Sequence, residues 1–215
     1  MKIDKSETLF AEVINSTQCP FAKKGIIEYG SIWHGSLCLD EQIAVWGSEL
    51  EIFVEKTINQ NLDGFVVSGC GPQTPKTLEE LSKFVCAVLS RLTQMSSGIP
   101  LKKRDIEQAE WQFLYKSTRM FLVVMSSIYD TTNSRYSPIP ESVSLLFQPE
   151  KSFSNFMPHS EFDPRTVHLK GVIRRDFVTA GKVYDIAIVT NSLEAIKYVK
   201  PLYVGDEPII WWKNL

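Results

Sequence analysis

No stretch of this chain approaches the roughly eighteen consecutive apolar residues that a membrane-spanning helix needs. The longest unbroken run, Met120 to Met125, is the size of a strand. The first residues, Met1 to Glu7, carry both signs of charge and lack the apolar core of a secretory signal. A basic excess is missing too: 23 lysines and arginines stand against 25 aspartates and glutamates, for a net charge of −2. Nucleic-acid binders normally show a basic stripe. The local cluster Lys102-Lys103-Arg104 is followed at once by Asp105 and Glu107, which reads as the solvated approach to a helix. Cysteine is sparse, with four at positions 19, 38, 70 and 86 and no Cys-x-x-Cys pair. A zinc ribbon or a thioredoxin-type motif is thereby excluded. Phosphate-binding glycine loops and a serine nucleophile elbow are also absent. The expected setting is the cytoplasm, with free thiols and neither nucleic acid nor membrane as partner.

What is present suffices for a full core. Apolar residues make up 44 % of 215 residues, close to the globular average, so residues 1–215 read as a single domain. A first helix is expected over 5–15, and a short helix or turn over Phe21–Tyr29. Alternation over Ser31–Leu39 suits a strand. Asp40 is a good cap for a helix from Glu41 to Asn59, whose apolar positions fall on one face. Gly64–Cys70 reads as a strand ending in a Gly-Cys-Gly-Pro turn. Thr77, with Glu80 three residues on, opens a second long helix. Asp105–Lys116 is a third helix candidate. Met120–Tyr129 is apolar on both faces and reads as a central strand. Ser142–Gln148 and Lys182–Thr190 are further strands, and Asn191 or Ser192 caps a helix to about Val199. The fold class is α+β, an α/β sandwich with a mixed sheet of about five to six strands flanked by helices.

Several segments could carry chemistry. Cys19-Pro20 precedes a short helix, where the dipole lowers a thiol pKa; packing under Phe21 is the plainer alternative. On a strand, His34 and Cys38 would sit roughly 13 Å apart, too far for one metal ion. The glycines flanking Cys70 allow close approach to a ligand. Arg135, in the loop after the apolar strand, could clamp a carboxylate bidentately. Residues 158–168 concentrate His159 and His168 with Asp163 and Arg165, and a neutral imidazole there could bind iron or a divalent metal. His168 alternates with its neighbours as a strand residue would. Trp211 and Trp212 cannot share one face of a strand, so either one is exposed for contact or both are covered by loops.

Taken together, Cys19-Pro-Phe-Ala-Lys-Lys-Gly with Gly30-Ser31-Ile32, Asn133-Ser-Arg-Tyr-Ser-Pro with Leu146-Phe147-Gln148-Pro149-Glu150 and Phe153, and Arg165 to Gly171 resemble the YqcI/YcgG family. Its members include haem-dependent N-oxygenases that hydroxylate a side-chain nitrogen of amino acids. The resemblance implies haem b, O2 and a small amino-acid-like substrate. The family's middle block carries His-Pro-Arg where this chain has Asn133-Ser134-Arg135. His159 is then the expected iron ligand, with His34 the second choice, and Arg135 or Arg165 the carboxylate clamp. Two other classes stand beside this one. One is a non-catalytic module binding a small molecule or a protein, and the other a thiol enzyme using Cys19 or Cys70. Apolar strand edges permit a homodimer.

Overall fold

The computed structural model describes residues 6–17, 24–152, 163–213 and 215. Five strands form one mixed sheet in the order β1-β2-β5-β4-β3, so the expected α+β class holds. They are β1 (Ile27–Trp33), β2 (Gly64–Cys70), β3 (Phe113–Tyr115), β4 (Thr118–Ser126) and β5 (Ser142–Pro149). β1 and β2 run parallel, while β5, β4 and β3 join antiparallel. The apolar strand β4 lies inside the sheet, but β5 holds the centre.

Both sheet faces are covered by helices, because alternate side chains of interior strands point to opposite sides. α2 (Leu39–Asn59) and α3 (Leu78–Ser97) pack Trp46, Leu50, Phe53, Val85 and Leu89 against Val67, Leu122, Leu145 and Phe147. On the other face, α1 (Glu7–Ser16) lays Phe10 and Val13 against Val66, Met125 and Leu146. α3 begins where its capping signal lies. Thr77 Oγ1 accepts from the Glu80 amide at 3.1 Å, and Gly98 ends the helix with φ of 70°.

β1 carries a bulge that breaks its register between Tyr29 and Ile32. The displaced Ser31 is satisfied from α2. Its amide donates to the Glu49 carboxylate at 3.0 Å, and its carbonyl accepts from Trp46 Nε1 at 2.9 Å. Buried backbone groups need such partners when a ladder is interrupted.

Six sequence expectations are corrected. The strand expected over 31–39 ends at Trp33, because His34–Ser36 bend at Gly35, where φ is 80°. α2 starts at Leu39 rather than after Asp40, since the Cys38 amide donates to Glu41 Oε2 at 3.0 Å. The helix expected over 105–116 is a single turn, α4 (Lys103–Ile106), followed by β3. There Phe113 and Tyr115 are buried while Leu114 between them is exposed, so pairing with β4 outweighs the local helical pattern. The strand expected over 182–190 is instead α6 (Ile186–Val189). Asp185 caps it by accepting from the Ile188 amide at 3.1 Å, and Val183 keeps a single bridge to Asn133. His168 lies on α5 (Pro164–Thr179), not on a strand. The helix expected to reach Val199 is a short 3-10 turn, Glu194–Lys197.

The paired tryptophans are both covered. Trp211 Nε1 donates to the Ala195 carbonyl at 2.8 Å, and Trp212 Nε1 reaches Glu107 at 3.4 Å. Neither ring is left for partner contact.

Candidate functional site

β1, β2 and β4 end at the same edge of the sheet, since all three run in one direction. Beyond the end of β4 the chain loops out and returns. The Ser126 amide donates to the Arg135 carbonyl at 3.0 Å, and the Ser137 amide to the Ser126 carbonyl at 3.1 Å. Asp130 tightens the loop by accepting from the Thr132 amide at 2.8 Å and the Asn133 amide at 3.1 Å. Short polar side chains favour such turns because they reach their own backbone two residues on.

Asn133 joins this loop to the C-terminal segment. Its Oδ1 accepts from the Arg135 amide at 2.9 Å, while its Nδ2 donates to the carbonyls of Pro201 at 3.3 Å and Leu202 at 3.1 Å. The Val183 amide donates to the Thr132 carbonyl at 2.8 Å and brings in the third wall. Tyr129 fixes the floor, its hydroxyl donating to the Lys200 carbonyl at 2.9 Å.

Between these walls lies a hollow of about 60 Å³, lined among others by Asn133, Ser134, Asp185 and Lys200. Lys200 is 5 % exposed, and Arg135 and Asp185 are also buried. The Lys200 ammonium donates to Ser134 Oγ at 3.1 Å and lies 5.6 Å from the centre of the Tyr184 ring. Burial, and then the charge of Arg135, push its pKa down to about 7, while Asp185 opposes the shift. Arg135 donates from a terminal guanidinium nitrogen to the Lys197 carbonyl at 3.2 Å. Arg174 also lies against Tyr184, 5.9 Å from the ring centre, and its Nε is buried without a hydrogen-bond partner among the described residues. Around the mouth, Val183, Val204 and Tyr203 are 42, 55 and 65 % exposed. A polar, cationic interior thus opens through an apolar rim.

Of the described residues expected from sequence, only Arg135 belongs to this cluster. Arg165 lies in the first turn of α5, paired at 3.0 Å with Asp163, the residue that caps the helix, and its side chain is 70 % exposed. His34 is exposed in the bend after β1, and two strands intervene between β1 and β4, a separation of roughly 14 Å. Cys70 is half-buried at the end of β2, its carbonyl accepting from Gln73 Nε2 at 2.9 Å. Cys19 and His159 lie outside the described residues. Lys200 and Asp185 were not singled out from sequence. The available signal was a lone cation between Val199 and Pro201 after buried Tyr198.

The fit of a haem can be judged on the described residues. Their two histidines, His34 and His168, are both exposed, and neither lines the hollow. Cofactor-sized pockets run to roughly 300 Å³ or more, several times the volume here. This hollow therefore does not fit a haem. Among them there is also no group of three or more His, Cys, Asp or Glu side chains arranged to hold a metal ion. No described helix is long and apolar enough to cross a membrane.

No curated protein and no solved structure matches the chain. A family profile does: residues 10–178 match the YqcI/YcgG family. The matched span includes the Thr132–Arg135 wall of the hollow and ends before Val183, Asp185 and Lys200.

Proposed function

The chain belongs to the YqcI/YcgG family, and we propose that it binds a small, amino-acid-like molecule carrying a carboxylate or another oxyanion. The carrying observation is the hollow itself, where the Lys200 amine lies on the wall with Arg135 close enough to depress its pKa. A desolvated cationic site holds an anion more strongly than an exposed one does, because low dielectric strengthens the attraction. The volume suits a carboxylate head, and the rim of Val183, Tyr203 and Val204 offers apolar contact to whatever body the ligand carries. This reading belongs to the class of small-molecule binding modules and requires no catalysis.

An NMR titration with small carboxylates tests it. Glycolate and branched amino acids should shift the amides of Asn133, Ser134 and Tyr203. Lys200→Met should weaken those shifts about tenfold, the loss of one hydrogen-bond contact. Shifts spread evenly over the surface would refute the site.

A second reading, haem-dependent N-oxygenation, rests on the resemblance to the haem-dependent members of the family. Its expected iron ligand is His159, with His34 the second choice. An ultraviolet–visible spectrum after haem supplementation separates the two. A Soret band that disappears in His159→Ala favours this second reading, and no band removes it.

A further inference from the structure

A lysine that is nine-tenths buried usually either pairs with a carboxylate or serves as a nucleophile. Lys200 has no carboxylate within ion-pairing distance among the described residues: its ammonium meets the Ser134 hydroxyl and the Tyr184 ring. The groups facing it are a cation, Arg135, and one carboxylate, Asp185, which is itself engaged in capping α6. Lys200 also lines a hollow whose rim is exposed.

We propose that Lys200, held between Ser134 and Tyr184 on the wall of this hollow, captures a small oxo acid as a reversible imine. The proposal rests on the binding reading above and names its ligand class. Burial and a neighbouring cation are the two means by which proteins keep a lysine amine neutral and therefore nucleophilic, and both act here. The Lys200 nitrogen adds to the ligand carbonyl carbon. A C–N bond forms, the carbonyl π bond opens onto oxygen, and that oxygen takes a proton. The C–O bond then breaks, water leaves, and nitrogen gives up its remaining protons to form the C=N bond. One amine and one carbonyl thus yield one imine and one water, with no oxidant or reductant. Asp185 lines the same hollow. The ligand carboxylate lies in the positive field of Arg135.

Trapping tests this on the full chain. Glyoxylate is added near neutral pH with sodium cyanoborohydride, which reduces an imine to a stable secondary amine, and peptides are mapped by mass spectrometry. The expected result is one carboxymethyl group per chain, on Lys200, formed at least about tenfold faster than on any surface lysine, where more than about 99 % of amines are protonated at that pH. Excess glycolate should slow the labelling by occupying the hollow, and Lys200→Met should abolish the fast phase. Labelling spread evenly over the surface lysines overturns the proposal. If glycolate shifts the amides of the hollow while Lys200 stays unlabelled, the imine fails and the binding reading stands. If glycolate shifts nothing, both fail.

Discussion

Replacing Lys200 by methionine should stabilise this protein at neutral pH, and the gain should vanish in alkali. Methionine keeps the length and apolar stem of lysine and removes its charge. The folded protein depresses the Lys200 pKa from 10.5 to about 7, a gap of about 3.5 units worth about 1.4 kcal/mol each. The folded state is thus penalised by at most about 5 kcal/mol at pH values below both pKa values. The sign follows from proton counts. Between about pH 7 and 10.5 the unfolded lysine holds a proton that the folded one has released, so wild-type stability rises with pH across this window. The penalty is complete below about pH 7 and gone above about 10.5. Methionine loses the hydrogen bond to Ser134 Oγ, about 1 kcal/mol, and the contact with Tyr184, about 1 kcal/mol. The net expectation is a variant more stable by about 2–3 kcal/mol at neutral pH. Urea denaturation of both proteins at several pH values reads it directly, because other titrating groups cancel in the difference. A gap between the two proteins that stays constant with pH, or a wild type that is the more stable at neutral pH, would show that Lys200 is not strained by its burial.

Two further substitutions probe how the hollow and the sheet are held. Asn133→Ala removes the bonds to the Pro201 and Leu202 carbonyls and should cost about 2 kcal/mol. Hydrogen exchange should then speed up in residues 201–204 while β2 and β5 stay protected, and unchanged exchange there would dismiss Asn133 as the joint. Gly30→Ala would place a Cβ 2.8 Å from Glu49 Oε2 and from Phe65 Cζ, and 2.9 Å from Val67 Cγ1. The cost should be about 1–3 kcal/mol, read as a lower midpoint in chemical denaturation. A neutral result would mean that the bulge of β1 can shift to make room.

Legibility followed the range of the interactions. Where one residue pattern and one cap decide an element, the sequence sufficed: β2 and α3 lie where Gly64–Cys70 and the Thr77 cap place them. Where distant partners decide, it did not. Phe113–Tyr115 falls within the helix expected over Asp105–Lys116, yet the open edge of β4 claims it as a strand, with the Phe113 amide also held by the Tyr198 hydroxyl at 3.1 Å, 85 residues away. Lys182–Thr190 reads as a strand, yet Asp185 caps a short helix, Ile186–Val189, within it. The candidate site followed the same rule. Arg135 could be picked out because it follows an apolar strand, a local fact. Lys200 became interesting only once Tyr129, Ser134, Arg135 and Tyr184 surrounded it, and the nearest of these in sequence is 16 residues away.

Composition and periodicity alone thus determined that this chain builds a mixed sheet between helices and lacks the apolar length for a membrane-spanning helix. Hydrophobic burial, the force behind both conclusions, depends on how much apolar surface there is and how often it recurs. The tertiary structure alone decided which cation would be taken out of water. A pKa answers to dielectric and to neighbouring charge over a few ångströms of space, and no spacing along the chain encodes that distance.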